Sequence, residues 1–322
     1  MKTVMTVKKG AVLAMLLSAT MMSSAHALTV YTAGPGSLAK SLASGYEKKT
    51  GVKVNIFQAT TGKVMARLDA EQANPQADVL ISASWDTAED LHQRGWLLPY
   101  QSANADKVPA NLKSADYVAQ GISALGIVWN SKSGTPEPKE WRDLTEAAFK
   151  DKVTTPDPAL SGASLDLLIG LQNSMGDKAW ALFDELKKNG MVVSGPNAQA
   201  VTPVMQGAKA AVFGAVDYVS YGNIDQGESL KVIFPASGTV IAPRPMMILK
   251  TTAHADDAKA FVDYVLSPEG QALVAGAWLM PARSDIPAKR PLLNELKILP
   301  TTSDGSSERS TVLSRFNTLF AQ

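Results

Sequence analysis

Cysteine is absent from the chain, and histidine occurs only three times in 322 residues. Without a thiol there is no disulfide, no thiolate metal site, no thiol nucleophile and no lipid attachment at a lipobox. Histidine is scarcer still once His26 is set aside as part of the leader described below. His92 and His254 are too few for a multi-histidine metal centre, and neither has a local context that marks a general base. A charge excess of one sign is also missing: 31 Lys and Arg face 30 Asp and Glu, for a formal net charge of +1. No basic surplus is there to neutralise a nucleic-acid backbone, so nucleic acid is excluded as a partner. The chain lacks internal repeats at solenoid periods, low-complexity tracts and any Gly/Ser-rich tether between its parts. It also lacks the Gly-x4-Gly-Lys-Ser/Thr spacing of a P-loop and the Gly-x-Ser-x-Gly elbow of a hydrolase. No paired-carboxylate signature stands out among its acids.

The longest apolar run lies at the start. Lys2, Lys8 and Lys9 precede an apolar stretch over 11–22, and Ala25-His26-Ala27 closes it with a small-x-small triplet. Positive head, short apolar middle and small-residue end form a secretory leader, with cleavage expected after Ala27. The run is too short for a bilayer span, which needs ~20 residues. Loss of its three lysines takes the formal charge from +1 to −2. The expected product is an exported, soluble, monomeric periplasmic protein. At 45% hydrophobic residues it has enough apolar mass for sizeable cores without disulfides.

Beyond the leader the periodicities alternate. Strand patterns over 28–33, 52–56 and 78–81 are separated by helical patterns over 37–49 and 63–73, which predicts a parallel α/β sheet. The section from about 126 to 239 repeats the style. Leu165, Leu168 and Ile169 share one helical face, Trp180 and Phe183 another, and strands are expected over 210–216 and 231–234. A third strand is expected over 246–249, and helical spacing returns at Ala258, Phe261, Val262 and Val265, with Pro268 and Gly270 breaking it. The predicted fold is α/β with two lobes, parallel-rich sheets, flanking helices and a two-strand hinge. The crossings are expected near 122–128 and 240–246. The lobes are expected over 28–123 (first lobe, opening part), 124–242 (second lobe) and 243–322 (completion of the first lobe and C-terminal helices).

The strand-to-helix junctions carry the chemistry. Gly34-Pro35-Gly36-Ser37, Thr60-Thr61-Gly62-Lys63, Ser82-Ala83-Ser84-Trp85 and Ser161-Gly162-Ala163-Ser164 each lead into a helical pattern. In open parallel sheets ligands bind beyond the carboxyl ends of strands, and helix N-termini offer free N–H groups and a positive dipole end. Several hydroxyl-rich helix starts converging from two lobes would form a receptor for a small anion. Ser37, Thr61, Gly62, Ser84, Ser161, Ala163 and Ser164 are therefore candidate ligand-binding residues. Each hydroxyl has ordinary helix capping as its competing role. Asp217, Tyr218 and Tyr221 follow a strand and are added as candidates. Arg244, between two prolines beside the second crossing, offers a planar fork suited to phosphate or carboxylate.

Read in order, several segments are familiar. Val30-Tyr31-Thr32-Ala33, Pro75-Gln76-Ala77-Asp78-Val79, Gly95-Trp96-Leu97-Leu98-Pro99-Tyr100, Gly126-Ile127-Val128-Trp129-Asn130, Leu266-Ser267-Pro268-Glu269-Gly270-Gln271 and Met280-Pro281-Ala282-Arg283 span nearly the whole exported chain. Together they resemble extracellular solute-binding proteins of ABC importers, of the ferric-iron, sugar-phosphate and aminoethylphosphonate type. The resemblance implies two lobes around a ligand cleft, no catalysis, no cofactor and an inner-membrane ABC permease as partner. The expected solute is a small organic phosphate or phosphonate. Ferric iron held by Tyr218 and Tyr221 is the alternative, although the adjacent tyrosines usual in ferric binders are here split by Val219 and Ser220. A secreted hydrolase using Ser161 or Ser164 is the remaining one.

Overall fold

The computed structural model describes residues 27–299 and 306–321. The expected leader therefore lies outside the described residues, apart from its last position, Ala27. The first elements are β1 (Ala27–Thr32), α1 (Gly36–Thr50), β2 (Lys53–Gln58), α2 (Thr61–Ala70), β3 (Val79–Ile81) and α3 (Asp86–Gln93). They follow the predicted alternation within a few residues. Leu38, Leu42 and Tyr46 form the buried stripe of α1, Lys48 and Lys49 complement its C-terminal dipole, and Gly51 ends it at φ 78°.

Strand β4 (Tyr117–Asn130) then runs through the middle of the molecule, buried from Val118 onward. Such burial on both faces explains its near-continuous apolar sequence, without the alternation of a half-exposed strand. After it come β5 (Val153–Thr155), α4 (Gly162–Met175), α5 (Asp177–Lys188), β6 (Val192–Val193), α6 (Asn197–Met205), β7 (Ala211–Val216), α7 (Asp217–Asp225) and β8 (Leu230–Ile233). The chain returns through β9 (Ile241–Ile248) to α8 (Ala255–Val265), α9 (Pro268–Gly276), β10 (Met280–Pro281) and α10 (Ser306–Phe320).

Two sheets share β4. In the first, β1 pairs in parallel with β2 and β3, while β3–β9, β9–β4 and β4–β10 are antiparallel. Residues 117–124 of β4 belong here, matched to β9. From Leu125 onward β4 pairs instead with β7 and β8, and β7 continues in parallel through β5 to β6. The predicted parallel units are present in both sheets, which are mixed because the crossing strands and β8 and β10 pair antiparallel. The strand expected over 246–249 and the second crossing are one element, β9, because Ile241 to Met247 pairs without interruption in sequence order along β4 apart from one bulge.

Each side has its own core. One draws on Leu28, Leu42, Val79, Ile122, Met246, Phe261 and Met280, the other on Leu125, Leu144, Leu168, Phe183, Phe213 and Val240. The two cores divide the molecule into a first and a second lobe. The segment 243–322 was expected to complete the first lobe and to carry the C-terminal helices. Helix α10 packs on the second core: Val312 and Phe316 are buried there, with Phe316 6.4 Å from Phe183 between ring centroids. The return is guided by a bridge between Thr239 and Ile298 at the base of the second lobe.

Candidate functional site

At the carboxyl edge of the first sheet the chain makes three turns side by side. Ala33 N–H donates to Ile81 O at 2.9 Å, Ala59 N–H to Thr32 O at 3.1 Å, and Ser82 N–H to Pro245 O at 3.0 Å. These bonds align the 33–36, 59–61 and 82–85 junctions with β9. Within them Gly34 N–H donates to Thr32 Oγ1 at 3.0 Å and Gln58 Nε2 to Gly34 O at 3.2 Å. The start of α4 in the second lobe faces this edge. Ser161 caps α4: its Oγ accepts from Ser164 N–H at 3.2 Å and from Asn197 Nδ2 at 2.7 Å. Ser164 Oγ donates to Pro156 O at 3.2 Å.

The lobes meet where α4 begins. A methyl group at Gly162 would lie 2.8 Å from Ser84 Cβ and 3.7 Å from Thr61 Oγ1, so only glycine permits this approach. Around the contact is a cavity of about 340 Å3, to which Thr61, Gly62 and Ser84 contribute from the first lobe and Ala159, Gly162 and Leu165 from the second. Asp86, Glu89 and Asp90 of α3 form an acidic wall, and Arg309 of α10 enters beside them. Arg309 forms an ion pair with Asp86 across the lobes and another with Asp166 of α4 at 2.7 Å, and its Nη2 donates to Ser84 Oγ at 3.3 Å. Burial pushes the Asp166 carboxyl up to about 6, with Arg309 opposing the rise and Asp86 adding to it. Burial also raises Asp86, against the pull of Arg309. Two carboxylates sharing one guanidinium leave one negative charge unmatched.

A second set of groups lies at the hinge. Arg244 is 1% exposed, the largest of the fully buried side chains. Its Nη2 donates to Ala33 O at 2.6 Å, its guanidinium sits 5.6 Å from the centre of the Tyr218 ring, and its Nε has no hydrogen-bond partner among the described residues. Its buried counterparts are neutralised. Arg290 pairs with Asp217 at 2.5 Å and Arg283 with Asp285 at 2.7 Å. Among the described residues no carboxylate pairs with Arg244.

The predicted candidates thus separate. Thr61, Gly62 and Ser84 share the interlobe cavity. Ser161, Ala163 and Ser164 are buried behind Gly162 in the first turn of α4, the two hydroxyls engaged in capping and back-bonding. Arg244 and Tyr218 face each other at the hinge. Ser37 lies exposed at the start of α1 and outside the cavity lining. Asp217 does not face the cleft: its carboxylate is completely buried and accepts from Ala124 N–H at 2.9 Å, Tyr218 N–H at 2.7 Å and Arg290. These bonds tie α7 to β4. Tyr221 stacks on Trp278 with centroids 6.0 Å apart, under Arg290, and burial pushes its hydroxyl up to about 12. Sequence reasoning missed Gly162, Asp86 and Arg309 as cleft residues. Gly162 was visible as the residue after a capping serine. The pairing of Arg309 with residues 143 and 223 positions earlier had no local signal.

Two α/β lobes, joined by two strands and enclosing a cavity, are the architecture of a receptor that closes on a small solute. Residues 74–304 match the family described as bacterial extracellular solute-binding protein, and the chain belongs to that family. Like its members it is a solute-binding protein of ABC transport, which works with a small ligand and an inner-membrane permease. It is 30% identical over 264 residues to an uncharacterised protein of Haemophilus influenzae, covering 78% of this chain and 75% of that one. It is 26% identical over 254 residues to a putative 2-aminoethylphosphonate-binding periplasmic protein of Salmonella typhimurium, covering 75% and 73% of the two chains. In fold it matches the periplasmic binding protein AfuA of Actinobacillus pleuropneumoniae, determined with exogenous fructose-6-phosphate bound. That match has a TM-score of 0.82 at 24% identity and covers 91% of this chain and 98% of that one. The expected family and two-lobed fold are therefore established. Among the described residues no helix is long and apolar enough to cross a membrane.

Proposed function

We propose that the chain is exported, acts in the periplasm as a non-catalytic monomer, and delivers a small organic phosphonate or phosphate carrying an amino group to an ABC permease. The observation that carries this reading is Arg244. A buried guanidinium without a carboxylate costs several kcal/mol, which an anionic ligand would offset. Tyr218 lies against the same guanidinium, and the 59–61, 82–85 and 161–164 junctions bring helix N-termini to the same edge of the sheet. Of the acids lining the interlobe cavity, Asp86 is paired with Arg309 and Asp90 with Arg94, while Glu89, which forms no ion pair among the described residues, suits an ammonium on the same molecule. In this reading the first lobe, 28–123 with the return from 243, supplies Thr61, Gly62 and Ser84. The second, 124–242 with α10, supplies the N-terminus of α4, and closure about β4 and β9 brings them onto the solute.

The alternatives have less support. Ferric iron would need tyrosinates at Tyr218 and Tyr221, yet burial pushes the Tyr221 hydroxyl up to about 12 and its ring is stacked on Trp278. A hydrolase would need a base on Ser161 or Ser164, yet the Ser161 hydroxyl accepts from Ser164 N–H and Asn197 Nδ2, and the Ser164 hydroxyl donates to Pro156 O.

The test is a thermal-shift panel on ligand-stripped protein with 2-aminoethylphosphonate, ethylphosphonate, fructose-6-phosphate, inorganic phosphate, simple carboxylates and ferric citrate. At about 100 times its Kd the cognate solute adds about 2.7 kcal/mol of stability. The expected order places 2-aminoethylphosphonate above ethylphosphonate. Stabilisation by ferric citrate alone would contradict the anion, and equal effects of the two phosphonates would remove the amino-group requirement.

A further inference from the structure

Helix α10 belongs to the second lobe by its core contacts, since Val312 and Phe316 are buried there. Its Arg309 nevertheless reaches the first lobe. The side chain is 16% exposed, and its guanidinium joins Asp166 of the second lobe to Asp86 and Ser84 of the first. All three partners lie at or beside the cavity between the lobes. Ser84 is also the residue that packs against Gly162. The polar bridge and the closest backbone approach therefore coincide at one point.

We propose that Arg309 is a positioning residue of the cleft: anchored to the second lobe through α10, it holds the lobes together through Asp86 and so sets the fraction of molecules whose cleft is competent to bind. The physical argument has three parts. First, the anchoring end is fixed in both open and closed forms, because Asp166 and the core contacts of α10 all lie in one lobe. Second, the contacts to Asp86 and Ser84 exist only while the lobes are together, so their energy counts only toward the closed form, which is the condition for shifting such an equilibrium. Third, the apparent affinity of any solute scales with the fraction of competent molecules, so a contact remote from the ligand tunes affinity without touching it. The inference rests on the reading that the lobes close, but not on which solute is bound.

The absence of cysteine makes the test direct. Lys48→Cys on the first lobe and Lys178→Cys on the second, both exposed, carry spin labels for a distance distribution in ligand-free protein. The labelled parent is expected to hold a short-distance population. Arg309→Met and Asp86→Asn are each expected to deplete it by about tenfold, Arg309→Lys to restore part of it, and Asp166→Asn to retain it. Asp86→Asn leaves α10 untouched, so it remains informative if Arg309→Met unfolds the helix, which circular dichroism reports. Distributions in Arg309→Met and Asp86→Asn identical with the parent overturn the proposal, as does a parent without a short-distance population. Because no ligand is added, a failure here is separable from a failure of the phosphonate assignment, which is read only from the salt panel.

Discussion

Four arginines are buried or nearly so in this molecule, and their partners sort them by task. Arg283 is neutralised within the first lobe by Asp285, Arg290 of the first lobe by Asp217 of the second, Arg309 is shared between lobes by Asp86 and Asp166, and among the described residues Arg244 meets a carbonyl and an aromatic ring. Arg244 was legible because a charged residue between two prolines at a strand crossing is locally unusual. Arg309 was not, since its meaning depends on long-range pairing. Asp217 was legible as an acid at a strand end, but sequence does not show Arg290 arriving from the far end of the chain to bury it. The Asp166–Asp86 pair makes a testable pH signature. Asp166 is raised from 3.8 to about 6 in the folded protein, so below that value the folded state binds a proton that the unfolded state does not. This raised group therefore contributes stability as pH falls from above 6 toward 4, and the contribution is lost as pH rises through 6. Melting temperatures of the parent and Asp166→Asn, compared from pH 7 to pH 5, are expected to converge toward low pH. The relative gain of the parent corresponds to about 1–2 kcal/mol. Parallel curves would show that Asp166 is ionised throughout.

At the level of single elements, most helices and strands were visible because their apolar spacing matches their period. Pro268 is an instructive exception. It was read as a break, yet it opens α9, with Ser267 accepting from Gly270 N–H at 3.1 Å. Proline at the first helical position loses only an N–H that had no partner. The hydroxyl-rich helix starts were visible too, but sequence alone does not separate a cap from a ligand contact. At α4 Ser161 caps the helix, and Gly162 makes the approach to Ser84. Gly162→Ala is expected to leave the ligand-free melting temperature unchanged or slightly raised, because alanine favours helix over glycine by up to about 1 kcal/mol. Calorimetric titration of that variant with the strongest ligand of the panel is expected to show a Kd raised about tenfold or more, equivalent to about 1.4 kcal/mol. Unchanged affinity would mean that the lobes need not come this close to bind.

For the whole molecule, the order of elements along the chain and the two-lobed plan could be read from periodicity and from the absence of a flexible tether. What could not be read was the last crossing. Local pattern gives helix 306–320 an apolar face, but only the second core, with Phe183 and Phe316 in contact, says which lobe receives it. That placement matters for function, because it carries Arg309 to the cleft. Besides β4 and β9, the lobes are joined by the polar bridges of Arg309 to Asp86 and of Arg290 to Asp217. The central claim is that this two-lobed receptor captures an organophosphonate or organophosphate through the uncompensated guanidinium at its hinge. The most direct measurement is calorimetric titration of ligand-stripped parent and Arg244→Met with 2-aminoethylphosphonate. The account predicts saturable binding to the parent and a loss of about 2–5 kcal/mol in the variant. Equal affinity in the two proteins would contradict it.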